Sequence, residues 1–190
     1  MLTGLPNLLT LSRIAIIPLV VGLFFIDGAT ARWVTLGFFA LAGITDFFDG
    51  YLARTRGQIS RLGRFLDPVA DKLLVSSVIL MLVAVDRVAG LVVLPALVIL
   101  IREIMVSGLR EFLAGLRVRV PVSQLAKWKT TIQMLALGFL IVSDAAPDWI
   151  PAVIIGETGL WLAAALTLIT GYDYFRAGMR HMLEENSQSD

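Results

Sequence analysis

Along this chain, apolar residues run in long blocks separated by short polar segments. Six blocks reach roughly the 20 residues that a bilayer core requires of a helix. They cover approximately 8–27, 33–54, 68–87, 90–112, 125–144 and 150–174. No linker, low-complexity run or clear internal repeat divides them. The pattern predicts an all-α, polytopic membrane protein with six transmembrane helices. It forms one domain over residues 1–182, followed by a polar tail over 183–190.

Composition supports the pattern. Hydrophobic residues make up 57% of the 190 and charged residues 16%, with a mean hydropathy of +0.83. An ordinary soluble domain carries about a quarter charged residues. With no cysteine and one histidine, disulfides and thiolate sites are excluded. Zinc and non-haem iron, which lean on imidazole or thiolate, are poor candidates. A net charge of +1 speaks against a strongly charged partner such as a nucleic acid. Near the N-terminus, Arg13, the apolar run Ile14–Ile26 and Ala29-Thr30-Ala31 imitate a cleaved secretory signal. A single basic residue in the leader, and a next segment that is itself a span, favour reading 8–27 as the first span.

The distribution of charge orients the chain. Arg54, Arg56, Arg61 and Arg64 occupy one loop, and Arg110, Arg117, Arg119, Lys127 and Lys129 another, with Arg176 and Arg180 toward the C-terminus. The opposite connections hold Arg32, Arg87 and acids such as Asp144 and Asp148. Positive-inside bias then puts both termini and both basic loops in the cytoplasm, and predicts a protein of the inner (cytoplasmic) membrane. Asp27 and Asp86 close spans on the outer face. Trp149, Tyr172 and Tyr174 are expected at the interfaces as belt aromatics, and His181 in solvent.

Against this background four carboxylates stand out at the cytoplasmic junction of spans two and three. The segment reads Asp46-x2-Asp49-Gly50-x2-Ala53-Arg54-x8-Gly63-x3-Asp67-x3-Asp71. On helices, Asp46 and Asp49 share one face and Asp67 and Asp71 another. Acids beside a membrane span are costly and mark functional sites. Pairing with Arg54, Arg61, Arg64 or Lys72 explains some of them as staples between spans. Four acids in a fixed frame with two interposed glycines exceed what stapling needs. Pro68 suits a first helical turn, which would make Asp67 an N-cap; capping leaves the other three unexplained. The cluster therefore reads as a site for hard, oxygen-loving divalent cations. Two such ions on shared carboxylates suit the displacement of one phosphoryl oxygen by another. Arg54, one turn beyond Gly50, is best placed to hold phosphate oxygens.

The whole frame resembles the signature of the CDP-alcohol phosphotransferases, and every defined position is filled. The resemblance implies a six-helix membrane enzyme, commonly a homodimer, that uses Mg2+ or Mn2+, with two ions bound. It implies that Asp46, Asp49 and Asp67 are metal ligands and that Asp71 is a further ligand or the general base. Gly50, Arg54 and Gly63 would line the site of the CDP-activated donor. The opening Pro6-Asn7-Leu8-Leu9-Thr10-Leu11-Ser12-Arg13 is also similar to the family's start, with Asn7, Thr10 and Arg13 on one helical face turned to the nucleotide.

The second half bears on the acceptor. Arg102 sits among Ile99, Leu100, Ile101 and Ile104 and needs a partner or a purpose. Glu103, adjacent in sequence, points to a different part of the helix and is not an obvious partner. Arg102, Arg110, Lys127 and Lys129 together suit an acceptor that itself bears a phosphate, whereas Arg117 and Arg119 read as positive-inside anchors. The Arg102-Glu103-Ile104 to Leu109-Arg110-Glu111 stretch and Lys127-Trp128-Lys129-Thr130 resemble the bacterial branch whose substrates are CDP-diacylglycerol and sn-glycerol 3-phosphate. A related branch, the cardiolipin synthases, takes phosphatidylglycerol instead and needs less of a basic pocket. A divalent-cation transporter would want acids near the midplane, reachable from both sides; here they gather at one face. Gly37, Gly43 and Ala40 or Ala42 are expected to allow close helix packing in span two.

Overall fold

The computed structural model describes the backbone of residues 5–56, 61–115 and 124–186, and the side chains of 10–45, 66, 68–115, 124–172 and 174–176. Among the described residues the chain is all helical. The helices are α1 (Leu5–Leu23), α2 (Ala29–Arg56), α3 (Arg61–Ala84), α4 (Val93–Gly115), α5 (Gln124–Val142) and α6 (Ala152–Asn186). Single 3-10 turns at Gly90–Val92 and Ser143–Ala145 precede α4 and follow α5. Three helical stretches are long and apolar enough to cross a membrane: Gly90–Gly115, Gln124–Ala145 and Ala152–Arg176. Thr10–Leu23 and Ala29–Thr45 are shorter apolar stretches. Large apolar side chains such as Phe25, Leu91, Ile104 and Met105 face outward, as lipid-facing residues do in an integral membrane protein.

The expected blocks fall on these helices, with shifts at their ends. One that changes the reading of the motif is in α3. It begins at Arg61, so Pro68 lies inside the helix and Asp67 is an interior residue rather than an N-cap. An internal proline forfeits one backbone bond, to the carbonyl of Arg64; membrane helices tolerate this where neighbours re-satisfy the backbone. Pro18 sits likewise inside α1. At the other end, α6 runs on well past the predicted span, to Asn186.

Helix ends are closed by local backbone geometry. Asp86 takes a left-handed φ of 56°, while its N–H bonds Val83 O at 3.1 Å and that of Arg87 bonds Leu82 O at 2.9 Å. That pair of bonds is a Schellman ending for α3, with aspartate where glycine is usual. Gly28, at φ 111°, turns the chain into α2 in a conformation closed to most side chains.

Packing divides the bundle into two trios. α1 packs on α2 and α3, while α6 packs on α4 and, most extensively, on α5. The trios meet through α2 against α5 and, more thinly, through α3 against α4 and α5. Their shared core holds Val20, Val78, Leu82, Ile99, Leu137 and Leu140, all essentially inaccessible. Gly43 admits α5 closely, since a Cβ there would sit 3.0 Å from Met134 Cε. Gly37 has no such role: a Cβ would meet nothing within 4 Å.

Candidate active site

The thin seam between the trios opens into a groove of about 770 Å³. Its walls are Leu36, Phe39, Leu74, Met134 and Phe139, and small residues at Ala40, Ala42, Gly43 and Gly138 give it width. Arg13, Asp71, Thr130 and Thr131 stand at one end, Ala146 and Ile150 at the other. The groove is therefore apolar along its length and polar at the end where the acids of α3 lie.

Arg13 and Thr10 lie three residues apart on α1, and both are buried. That fits the expected shared face. The side chain of Asn7, the third residue of that face, lies outside the described residues, as do those of Asp46, Asp49, Asp67, Gly50, Arg54 and Gly63. Their helices are described: Asp46 and Asp49 are on α2 and Asp67 and Asp71 on α3, two helices in contact. Among the described residues no three acidic, histidine or cysteine side chains form a metal site. Four carboxylates spaced three and four apart on touching helices remain a donor set of the oxygen chemistry that Mg2+ and Mn2+ prefer.

Beside Asp71 lies a cluster of charges that the sequence reading did not assemble. Glu103 on α4 accepts from Lys129 on α5, from Lys72 on α3 at 3.4 Å, and from its neighbour Arg102 at 3.4 Å. Glu103 is thus a partner of Arg102 after all. A guanidinium on its long stem swings around the helix to the next position, a reach that backbone direction alone hides. Lys72, one of the cations read as a possible partner of the aspartates, pairs with Glu103. Arg102 also donates from Nη2 to Thr170 Oγ1 at 3.1 Å. Gly171 leaves it room, since a Cβ there would come within 3.2 Å of Arg102 Cγ.

Arg110, farther along α4, donates to Tyr174 Oη at 3.2 Å and lies 5.4 Å over the same ring. Tyr174 is buried and so is no belt aromatic, unlike the exposed Tyr172 and Trp149. Periodicity was the missed signal: Thr167, Thr170, Gly171 and Tyr174 recur at helical spacing along one face of α6. The cluster gathers Arg102 and Lys129, and Arg110 is close enough for its charge to act on Arg102. Lys127 is exposed on a different face of α5.

The family model "CDP-alcohol phosphatidyltransferase" matches residues 3–169. The chain belongs to that family. Its members generally use divalent metal ions, in keeping with the donor set on α2 and α3. Among curated relatives of this CDP-alcohol phosphatidyltransferase, a protein of Rickettsia typhi is 51% identical over 174 residues, covering 92% of this chain and 96% of its own. One of Salmonella choleraesuis is 41% identical over 187 residues, covering 96% and 98%. One of Cereibacter sphaeroides is 36% identical over 217 residues, covering 96% and 98%. Each of the three is named CDP-diacylglycerol–glycerol-3-phosphate 3-phosphatidyltransferase.

Proposed function

We propose that this protein transfers a phosphatidyl group from CDP-diacylglycerol to sn-glycerol 3-phosphate, giving phosphatidylglycerol phosphate and CMP. The observation that carries the reading is the juxtaposition at Asp71: an apolar groove on one side and a basic cluster on the other. A lipid donor needs the first and a phosphorylated, water-soluble acceptor the second. The relatives' shared name supports the same pair of substrates.

In this reading the acyl chains lie in the groove between α2, α3 and α5, with the pyrophosphate at its polar end. Asn7, Thr10 and Arg13 of α1 face the nucleotide, and Gly50, Arg54 and Gly63 line its site. Asp46, Asp49, Asp67 and Asp71 would hold two Mg2+ or Mn2+ ions. Such ions neutralise the pyrophosphate and stabilise the leaving phosphate when bound. The primary hydroxyl of glycerol phosphate attacks the phosphorus that bears diacylglycerol. A new P–O bond forms there, the pyrophosphate P–O bond breaks, and CMP leaves with that oxygen. The hydroxyl proton passes to the Asp71 carboxylate. Arg102, Arg110 and Lys129, with Lys127 on the rim, attract the acceptor's phosphate. The enzyme spans the inner membrane six times as a homodimer, with both termini and the site toward the cytoplasm.

CMP release by detergent-purified protein, with acceptors supplied singly, tests the reaction. Release should require sn-glycerol 3-phosphate, vanish with EDTA and return with Mg2+ or Mn2+. Release with phosphatidylglycerol alone would move the chain to the cardiolipin branch. Asp71→Asn should abolish turnover; near-normal activity in that variant would sink Asp71 as base and as ligand alike.

A further inference from the structure

The three cations on Glu103 come from three different helices: Lys72 from α3, Arg102 from α4 and Lys129 from α5. Those contacts are made where the helices themselves meet thinly, since α3 touches α4 and α5 far less than α5 touches α6. Glu103 ties Lys72 and Lys129 together directly across that seam.

Among the described residues these ion pairs set three cations against one carboxylate, in a cluster whose Lys129, Glu103 and Arg102 side chains are only 5%, 12% and 12% exposed. Cations gathered with so little exposure suit a bound counter-charge. Donors are also left over. Each ammonium has three N–H groups and only one contact to Glu103, and buried Arg102 Nε makes no hydrogen bond.

We infer that Glu103 is a positioning residue that gathers Lys72, Arg102 and Lys129 into a cradle for the dianionic phosphate of the acceptor, with Lys72 as a phosphate-contacting member. The inference rests on the acceptor assigned above. A phosphate monoester carries about 1.5–2 negative charges at neutral pH and so meets three gathered cations better than the single charge of a phosphodiester does. The cradle thus selects for a terminal phosphate on the acceptor. Glu103 touches no reacting atom; it acts through the cations it spaces.

Steady-state kinetics in detergent micelles separates this role from general scaffolding. Lys72→Ala and Glu103→Gln should each raise KM for sn-glycerol 3-phosphate about tenfold or more and leave KM for CDP-diacylglycerol within about twofold. Glu103→Asp, which keeps the charge, should recover most of the loss, and so should Lys72→Arg. Inorganic phosphate should compete with glycerol phosphate in the wild type and lose potency in Lys72→Ala. Lys72 is the more exposed member, so Lys72→Ala carries the test if Glu103→Gln fails to fold. An active wild type in which Lys72→Ala leaves KM for glycerol phosphate unchanged, or raises both KM values alike, overturns the cradle alone. A wild type that releases no CMP with glycerol phosphate overturns the acceptor assignment and the cradle with it.

Discussion

Lys127 and Lys129 stand two residues apart on α5, about 200° around the helix, and they differ accordingly. One is exposed, while the other is buried against Glu103. Sequence alone presents both as basic residues at the start of a span, and only the facing helices separate them. The same holds for Tyr174, whose buried hydroxyl accepts from Arg110 while its ring lies under the guanidinium. A hydrogen bond of this kind contributes about 0.5–1.5 kcal/mol. Tyr174→Phe keeps the ring and loses that bond, so KM for glycerol phosphate should rise about two- to tenfold with kcat little changed. Tyr174→Leu, which removes the ring as well, should do more. If neither variant moves that KM in a steady-state assay, Arg110 is an anchor at the membrane surface and not part of acceptor binding.

At the scale of elements, the acidic motif was legible because its chemistry is local: four acids at fixed helical offsets need no tertiary knowledge to be grouped. Glu103 was not, because its partners are drawn from α3 and α5 and no spacing within α4 announces them. Pro68 misled for a related reason, since a proline that suits a first turn also survives inside a helix held by its neighbours. The groove, too, belongs to the packing of α2 against α5. Small residues at Gly43 and Gly138 make it, and a Cβ on Gly138 would come within 3.2 Å of Leu36 Cδ1. At Gly43 the nearest atom to an added Cβ is the flexible end of Met134, so Gly43→Ala should be tolerated. Gly43→Leu should fill the groove, raise KM for CDP-diacylglycerol several-fold and shift preference toward shorter acyl chains, while KM for glycerol phosphate holds. Assays with donors of graded chain length read this directly. A variant indifferent to chain length, with donor KM unchanged, would place the acyl chains elsewhere.

For the whole molecule, the remaining question is which way the bundle sits. α5 runs from Gln124 to Val142, 19 residues, or about 28 Å at 1.5 Å per residue. That matches a hydrocarbon core of about 30 Å, so Gln124 and the segment after Ser143 emerge on opposite sides. Asp71 and the Glu103 cluster belong to the Gln124 end, whereas Arg32 and Asp144 pair at the other. In the proposed reaction the substrates reach the site from the cytoplasm, so orientation decides whether that reaction runs at all. Because the chain has no cysteine, single substitutions report sidedness without background. Gln124→Cys and Asp148→Cys replace exposed residues at the two ends. In intact cells, a membrane-impermeant thiol reagent should label Asp148→Cys and spare Gln124→Cys until the membrane is opened. In inverted vesicles the pattern should reverse. Labelling of Gln124→Cys from outside would turn the bundle over and put the aspartates beyond reach of cytoplasmic substrates. Labelling of both from one side would mean that α5 does not cross the membrane.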